Sequence, residues 1–267
     1  MKLLTALGLV AAVLFAGCSA PVSSSGSPST STDDVPDTSG SWKSEFDGVP
    51  DWWLNSVPPN CAVIKDWANL MGCDLSLANL SGANLSGSMF NNANLSLTNL
   101  KYADLSSANF TSANLSTADL SGADLFLTDF TGANLSASNL LDAQLGYNAW
   151  DGANLSYANL RDLTFDDGSM RGANLTGANL WGASMVGVDL SNANFTDASL
   201  WGARFYNPLS INTLMINANF TGADLTGADL RGANLTGADF TGAKLKNADL
   251  RKAILTGATM PDGTIHD

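Results

Sequence analysis

Residues 218–250 read ANFTG ADLTG ADLRG ANLTG ADFTG AKLKN ADL, and this five-residue period extends from Ala68 to Met260. Every residue whose number is divisible by five from Leu70 to Met260 is apolar, with Ser210 as the one exception. The residue two positions earlier is nearly always small, the residue directly before it is mostly Asn or Asp, and two polar or glycine residues follow it. The period matches neither strand alternation nor the 3.6-residue helical turn, so it predicts a β-solenoid built from short repeated units.

The A(N/D)LXX pattern from Ala68 to Met260 resembles that of the pentapeptide-repeat family. The resemblance implies an all-β fold: a right-handed quadrilateral β-helix of about nine to ten coils, in which each pentapeptide forms one side. The Leu or Phe position and the small position are then expected to point into a narrow core. Asn and Asp are expected at the turns, where their side chains bond nearby backbone groups.

Large core residues predict how the coils stack. One series recurs every twenty residues and is expected to form a single interior column: Phe90, Phe110, Phe130, Trp150 and Met170. A second series is offset from it by ten residues: Phe220, Phe240 and Met260. Between them, residues 206–215 carry Pro208 in place of the small residue and Ser210 in place of Leu. If these ten residues protrude as a loop, the second series falls on the first column, so the sequence predicts a ten-residue excursion.

The N-terminus predicts export. In MKLLTALGLVAAVLFAGC, Lys2 precedes an apolar run from Leu3 to Phe15 that is too short to span a bilayer as a mature helix. Residues 14–18 resemble a bacterial lipobox, with Phe15 where Leu is usual. The resemblance implies a lipoprotein signal peptide over 1–17, lipidation of Cys18, and an anchor in the bacterial cell envelope, in the outer membrane if the cell has one. The alternatives are an ordinary secretory signal or an N-terminal membrane anchor.

Two segments separate the predicted anchor from the repeats. Residues 18–41, the lipidated cysteine and a Ser/Thr/Pro-rich tether, hold almost no large apolar side chains and are predicted to be disordered. Residues 42–67 are rich in aromatic side chains and are predicted to form an N-terminal cap, because the end of a solenoid exposes a cross-section of its core. Cys61 and Cys73 either form a disulfide, which an oxidising compartment permits, or Cys73 is a free buried thiol.

The opposite end of the repeats carries a closing signal. Residues 261–267 begin with Pro261-Asp262-Gly263, a turn sequence. We expect this tail to fold across the last coil and to cover its open edge.

The composition argues against catalysis. His266 is the single histidine and lies beside the C-terminus, so no nucleophile–histidine–acid set can be assembled within the repeats. The sequence contains no CxxC, HExxH or phosphate-binding glycine loop. We therefore expect no enzyme activity, no cofactor and no metal site. The net charge of −13 disfavours binding to nucleic acid.

One outward-facing surface is less regular than the others. Trp181 and Trp201 are spaced by twenty residues and should stack on one side, while Phe126 and Tyr206 belong to the next side. A contiguous exposed aromatic patch is typical of a docking surface for a partner protein or ligand. Alternatively, the loop at 206–215 folds back and covers the two tryptophans.

These features predict a non-catalytic, extracytoplasmic, membrane-anchored scaffold or protein-interaction module with a protein partner of unknown identity. One alternative is a protein that binds carbohydrate or another envelope ligand through the aromatic patch. A second is a DNA mimic, because some acidic pentapeptide-repeat proteins bind gyrase. The predicted signal peptide opposes that second alternative, since gyrase is cytosolic.

Overall fold

The structure is a computed structural model that describes residues 61–165, 168–206 and 212–267. The predicted signal peptide, Cys18, the tether and residues 42–60 of the predicted cap lie outside the described residues. The described part contains no α-helix and therefore no helix that is long and apolar enough to cross a membrane.

Each regular coil of the described region contains twenty residues arranged on four sides. We number the sides by the core residue that each contributes to the first coil: Leu70, Leu75, Leu80 and Leu85. On every side a single residue forms an isolated parallel β-bridge with the residue one coil later. The first bridges of the four sides are Asn69–Met89, Asp74–Asn94, Asn79–Asn99 and Asn84–Asp104. The repeat therefore forms a four-sided solenoid whose sides are each one bridge wide.

The corners of the coil depend on a left-handed backbone conformation two positions after each core residue. Glycine adopts this conformation readily, as at Gly177 with φ of +63°. Residues with side chains adopt it as well, including Leu97 with φ of 61° and Tyr157 with φ of 60°, at a cost of about 1–2 kcal/mol each. The ring of Tyr157 lies against Gly177 in the next coil, where a Cβ atom would come within 2.5 Å of it. The position of the Tyr157 ring thus requires a glycine at residue 177.

The core is a narrow shaft of stacked apolar side chains. Consecutive rings of the first side lie nearly parallel, with centroid distances of 4.5 Å for Phe90–Phe110, 5.3 Å for Phe110–Phe130 and 4.3 Å for Phe130–Trp150. All four side chains are buried. The alanines two positions before the core residues are also buried, because the shaft has no room for larger groups beside the rings. The predicted interior aromatic column is confirmed.

The coil that follows residue 189 contains five extra residues, so the predicted ten-residue excursion is wrong. Bridges join Asp189 to Leu214 and Arg204 to Asp229, and the spacing of twenty returns with the bridge from Leu214 to Asn234. Tyr206 still occupies a corner, and Asn212 lies opposite Gly232 one coil later. The extra residues are therefore 207–211, including Pro208 and Ser210, which lie outside the described residues.

This five-residue shift places the second aromatic series on a different side from the first. Phe220 stacks on Phe195 at 4.9 Å and on Phe240 at 5.0 Å, so it belongs to the second side and does not rejoin the Phe130 column. An insertion of five residues keeps the five-residue count but rotates the register by one side. A phenylalanine fits the shaft on any side, so aromatic spacing could not determine the length of the insertion.

Thr213 fixes the chain where it re-enters the coil. It occupies the small position that alanine usually fills, and its side chain is fully buried. The Thr213 hydroxyl lies 2.7 Å from the carbonyl oxygen of Phe205 and 3.0 Å from that of Met185. It also accepts a hydrogen bond of 3.0 Å from the backbone N–H of Gly187. The single hydroxyl hydrogen of Thr213 is shared between the two carbonyl oxygens while its oxygen accepts from the N–H, so one side chain contacts three backbone groups where the ladder changes register.

Asparagine side chains connect the coils along the second side. Asn94 accepts a hydrogen bond from the backbone N–H of Ser96 at 3.2 Å, which agrees with the expected local bonding. However, Asn94 forms the β-bridge in the middle of the side and does not lie in the turn. Its Oδ1 also accepts a 3.1 Å bond from the amide of Asn114, and Asn134 and Asn154 continue this ladder at 3.0 Å. Consecutive coils are therefore joined by side-chain amides as well as by backbone bridges.

Both described ends of the solenoid carry a covalent or hydrogen-bonded closure. Cys61 and Cys73 form a disulfide with a Cα–Cα distance of 5.6 Å, which is one of the two alternatives left open by the sequence. At the other end, Ile265 forms an antiparallel bridge with Thr259, and Gly263 turns the chain with φ of +85°. The tail thus folds across the last coil on the second side, as predicted.

We expect Gly177→Ala to destabilise the solenoid more than Gly152→Ala. Both glycines have a positive φ, but a Cβ at Gly152 meets nothing within 4 Å, whereas one at Gly177 meets the Tyr157 ring. The Gly152 variant should lose about 1 kcal/mol from backbone strain alone. Urea unfolding, monitored by circular dichroism, measures the free energy of unfolding of both variants. Tyr157→Gly should remove the extra loss in the Gly177 variant, and equal losses in the two single variants would contradict the predicted contact.

Thr213→Ala should destabilise the protein although alanine is the usual residue at that position. The change leaves two buried carbonyl groups and one N–H without the hydroxyl, at a cost of about 2 kcal/mol. Thr98→Ala is the matched control, because the Thr98 hydroxyl bonds one carbonyl, that of Leu75 at 2.8 Å, and its loss should cost about 1 kcal/mol. Calorimetry compares the thermal unfolding midpoints of the two variants. A smaller loss of stability in the Thr213 variant than in the Thr98 variant would refute the proposed role of the Thr213 hydroxyl.

Candidate interaction surfaces

Trp181 and Trp201 lie in consecutive coils at the corner that follows the third side. Their ring centroids are 5.4 Å apart and their planes are inclined by 45°. The guanidinium carbon of Arg161, one coil earlier, lies 3.5 Å from the Trp181 ring centroid, which is a cation–π contact. Trp181 is half-buried, whereas Trp201 is 49% exposed. The structure therefore brings the two predicted tryptophans together and leaves Trp201 accessible.

Arg204 and Tyr206 lie on the fourth side, next to this corner. The Arg204 side chain is exposed, and its guanidinium forms no ion pair with any described residue. Tyr206 occupies the corner after the fourth side and is half-buried. We refer to Arg161, Trp181, Trp201, Arg204 and Tyr206 as the tryptophan surface. It combines accessible indole, phenol and guanidinium groups within adjacent coils.

The other arginines are paired with carboxylates, including Arg161 of this surface with Asp162 at 3.0 Å. Arg231 lies 4.4 Å from the Tyr206 ring centroid and pairs with Asp229 at 2.6 Å. The hydrogen bond to Asp229 raises the pKa of Arg231 above its usual value. Arg251 pairs with Asp249 at 2.6 Å, and this hydrogen bond lowers the pKa of Asp249 to about 2. Arg204 differs from these residues because its charge is not compensated by a described neighbour.

Phe126 does not join the tryptophan surface. Its ring lies against Gly146, where a Cβ atom would come within 2.6 Å, and it packs edge-on against Tyr147 at a centroid distance of 6.0 Å. Between Phe126 and Tyr206 on the same corner, Val186 is 7% exposed and Asp166 lies outside the described residues. The single aromatic patch expected from the sequence therefore divides into two separate surfaces.

The second surface contains three adjoining exposed apolar side chains. Phe126 is 44% exposed, Leu127 is 49% exposed and Tyr147 is 68% exposed. Asp104 and Asp124 bridge to each other on the fourth side, and Asp129 lies on the first side beyond the corner. These six residues form the Phe126 surface. Leu127 and Tyr147 were not predicted, although each places a large apolar side chain at a corner position that glycine or a polar residue usually fills.

The remaining predictions concern the loop at 206–215, a metal site and His266. The alternative in which the loop at 206–215 covers Trp181 and Trp201 depends on residues 207–211, which lie outside the described residues. No group of three or more His, Cys, Asp or Glu side chains is arranged to hold a metal ion within the described ranges. His266 lies in the closing tail, where its backbone N–H donates to the carbonyl of Ala258.

The repeats match a family model and resemble several solved structures. The model of the pentapeptide repeats matches residues 68–147, 173–207 and 213–260 in overlapping segments. The crystal structure of HetL, a pentapeptide repeat protein involved in heterocyst differentiation regulation in the cyanobacterium Nostoc sp. strain PCC 7120, is 35% identical. That alignment covers 75% of this chain and 92% of HetL, with a TM-score of 0.37.

Two further solved structures are similar over shorter ranges. Trypsin-treated QnrB1, a plasmid-mediated fluoroquinolone resistance protein, is 26% identical over 60% of this chain and 75% of its own, with a TM-score of 0.32. A pentapeptide repeat protein of the Arabidopsis thaliana thylakoid lumen is 26% identical over 47% of this chain and 66% of its own, with a TM-score of 0.18. Comparison with curated proteins gives no match.

Proposed function

Because the chain belongs to the pentapeptide-repeat family, we propose that it is a non-catalytic protein-interaction module held at the bacterial cell envelope. A lipid on Cys18 anchors it, and residues 19–41 act as the tether between the membrane and the folded part. The folded part is a right-handed quadrilateral β-helix of about nine to ten coils. Such a solenoid is rigid and presents long sides to a partner.

The tryptophan surface carries this proposal. Trp, Tyr and Arg are the residue types that most often dominate the energy of protein–protein interfaces, and this surface contains all three. The corner backbone holds them on a rigid support, so little side-chain freedom remains to be lost on binding. Arg204, which has no ion-pair partner in the described part of the chain, offers its charge to a carboxylate of the partner. The proposed partner is therefore a protein that docks an apolar group on Trp201 and an acidic group on Arg204.

A carbohydrate ligand is a weaker alternative. Sugar stacking needs an accessible aromatic ring face. Arg161 already covers one face of Trp181, and the two indoles are inclined by 45° and do not form a flat platform. Gyrase binding through DNA mimicry is also disfavoured, because the predicted export removes the protein from the cytosol and because arginines occupy the proposed docking surface.

Lipidation is tested by metabolic labelling with palmitate. We expect the wild-type chain to incorporate the label and to fractionate with membranes, and we expect Cys18→Ala to lose both properties, since Cys18 supplies the only proposed attachment. An unlabelled wild-type chain in the cytosol would overturn the anchoring proposal and would make a cytosolic target such as gyrase the better hypothesis.

Partner binding is tested by replacing both tryptophans with residues that the repeat prefers. In Trp181→Ser/Trp201→Thr, affinity capture from cross-linked cell envelopes should lose the proteins that wild type retains, with at least a tenfold lower recovery because hot-spot residues commonly contribute 2 kcal/mol or more. Tyr102→Gly/Tyr157→Gly is the matched control, because it also removes two exposed aromatic side chains. If the tryptophan variant retains the same proteins and only its thermal stability falls, the tryptophans serve packing and the proposal fails.

A further inference from the structure

We propose that the Phe126 surface binds a lysine or arginine side chain on an extended segment of a partner protein. This inference is independent of the tryptophan surface, which lies in later coils and has the opposite charge character. It rests on the aromatic geometry, on the surrounding carboxylates and on the local departure from the repeat.

Phe126 and Tyr147 form two walls of an open corner. Their ring planes meet at 86°, and both rings are accessible. Phe126 is held in place because its ring lies on the backbone of Gly146, where only a glycine leaves room for it. Exposed aromatic rings can hold an ammonium or guanidinium group through cation–π attraction. Leu127 adds an adjoining apolar contact for the stem of that side chain.

The charge around these rings favours a cation. Asp104, Asp124 and Asp129 flank the apolar cluster, and none of them takes part in an ion pair with a described residue. Their oxygens accept hydrogen bonds from Ser106, Phe126 and Thr131, so the carboxylates are oriented but not neutralised. Residues 61–160 contain eight aspartates, two lysines and no arginine or glutamate. A basic segment would thus approach an acidic half of the solenoid.

The backbone at this surface departs from the regular ladder. Bridges connect Asp124 with Gln144 and Thr164 with Ser184, but the bridge expected between Gln144 and Thr164 is missing from the described ladder. Asn148 replaces the usual alanine, is buried, and accepts a 2.8 Å hydrogen bond from the N–H of Gly146. Tyr147, between them, has φ of 53° although a glycine would fit there without strain. The Tyr147 ring is therefore exposed at a cost in backbone strain.

The probe is a fluorescein-labelled peptide, acetyl-LKLKLK-amide, with acetyl-LELELE-amide as its charge-reversed counterpart. Fluorescence anisotropy is measured with the purified full-length chain at low and at physiological salt. We expect the lysine peptide to bind, its affinity to weaken as salt screens the exposed carboxylates, and the glutamate peptide not to bind. Hydrogen exchange should slow at Phe126, Leu127 and Tyr147 on addition of the lysine peptide.

The variants replace each contributing group by the residue that the repeat prefers, so the fold is retained. Phe126→Ser/Tyr147→Gly removes the aromatic corner, and we expect about a tenfold loss of affinity, within the range of desolvated cation–π contacts. Asp104→Asn/Asp124→Asn keeps the acceptor oxygens and removes two charges, and it should weaken binding several-fold. The matched controls are Leu97→Gly/Tyr157→Gly for exposed apolar area and Asp74→Asn/Asp239→Asn for charge; both should bind as wild type does.

Several outcomes would overturn the proposal. The wild-type chain could fail to bind the lysine peptide, or it could bind the glutamate peptide equally well. The variants and their matched controls could lose the same affinity. Protection from hydrogen exchange could appear at residues other than Phe126, Leu127 and Tyr147. If sedimentation shows that the full-length chain self-associates and that only the Phe126 surface variants prevent it, a second copy is the occupant and a separate partner is not. Trp181→Ser/Trp201→Thr should leave peptide binding unchanged, so failure at one surface does not imply failure at the other.

Discussion

The fold depends on a corner that must adopt a left-handed backbone conformation every five residues. This conformation turns the chain so that the next core residue again points into the shaft, and the coil closes after four sides. Glycine meets the requirement without strain, but nineteen described residues with side chains also adopt a positive φ. Each of these residues directs its side chain outward at a corner, so the same constraint that closes the coil also decides which side chains are displayed.

Stacking of the coils brings corner side chains of consecutive coils together on the protein surface. Because consecutive coils lie about 4.8 Å apart, a large corner side chain contacts the residue one coil later. Tyr157 covers Gly177 and Phe126 covers Gly146, and these glycines permit close approach of the ring to the backbone. Where two large residues meet instead, as at Trp181 and Trp201, their rings pack together and form an accessible cluster.

The two surfaces differ in charge because the arginines are unevenly distributed along the chain. All five arginines follow residue 160, whereas residues 61–160 have a strong excess of aspartate. The tryptophan surface consequently offers the guanidinium of Arg204, which has no ion-pair partner among the described residues, and the Phe126 surface offers carboxylates. A rigid solenoid keeps these surfaces in separate coils, so one molecule presents two chemically distinct faces. This arrangement suits an interaction module with more than one contact to its surroundings.

The sequence alone determined the repeat and the interior Phe90–Trp150 column, because both follow from a local pattern repeated at a fixed spacing. The resemblance to the pentapeptide-repeat family implied the four-sided coil, and the turn sequence at 261–263 indicated the closing tail. The sequence also identified Trp181 and Trp201 as neighbours, since residues twenty apart share a corner. Only the tertiary structure decided the length of the insertion, because a five-residue shift preserves the apparent period while rotating the register by one side. It also decided that Phe126 pairs with Tyr147 and not with Tyr206, because contacts between coils depend on which corner side chains are large and which are glycine.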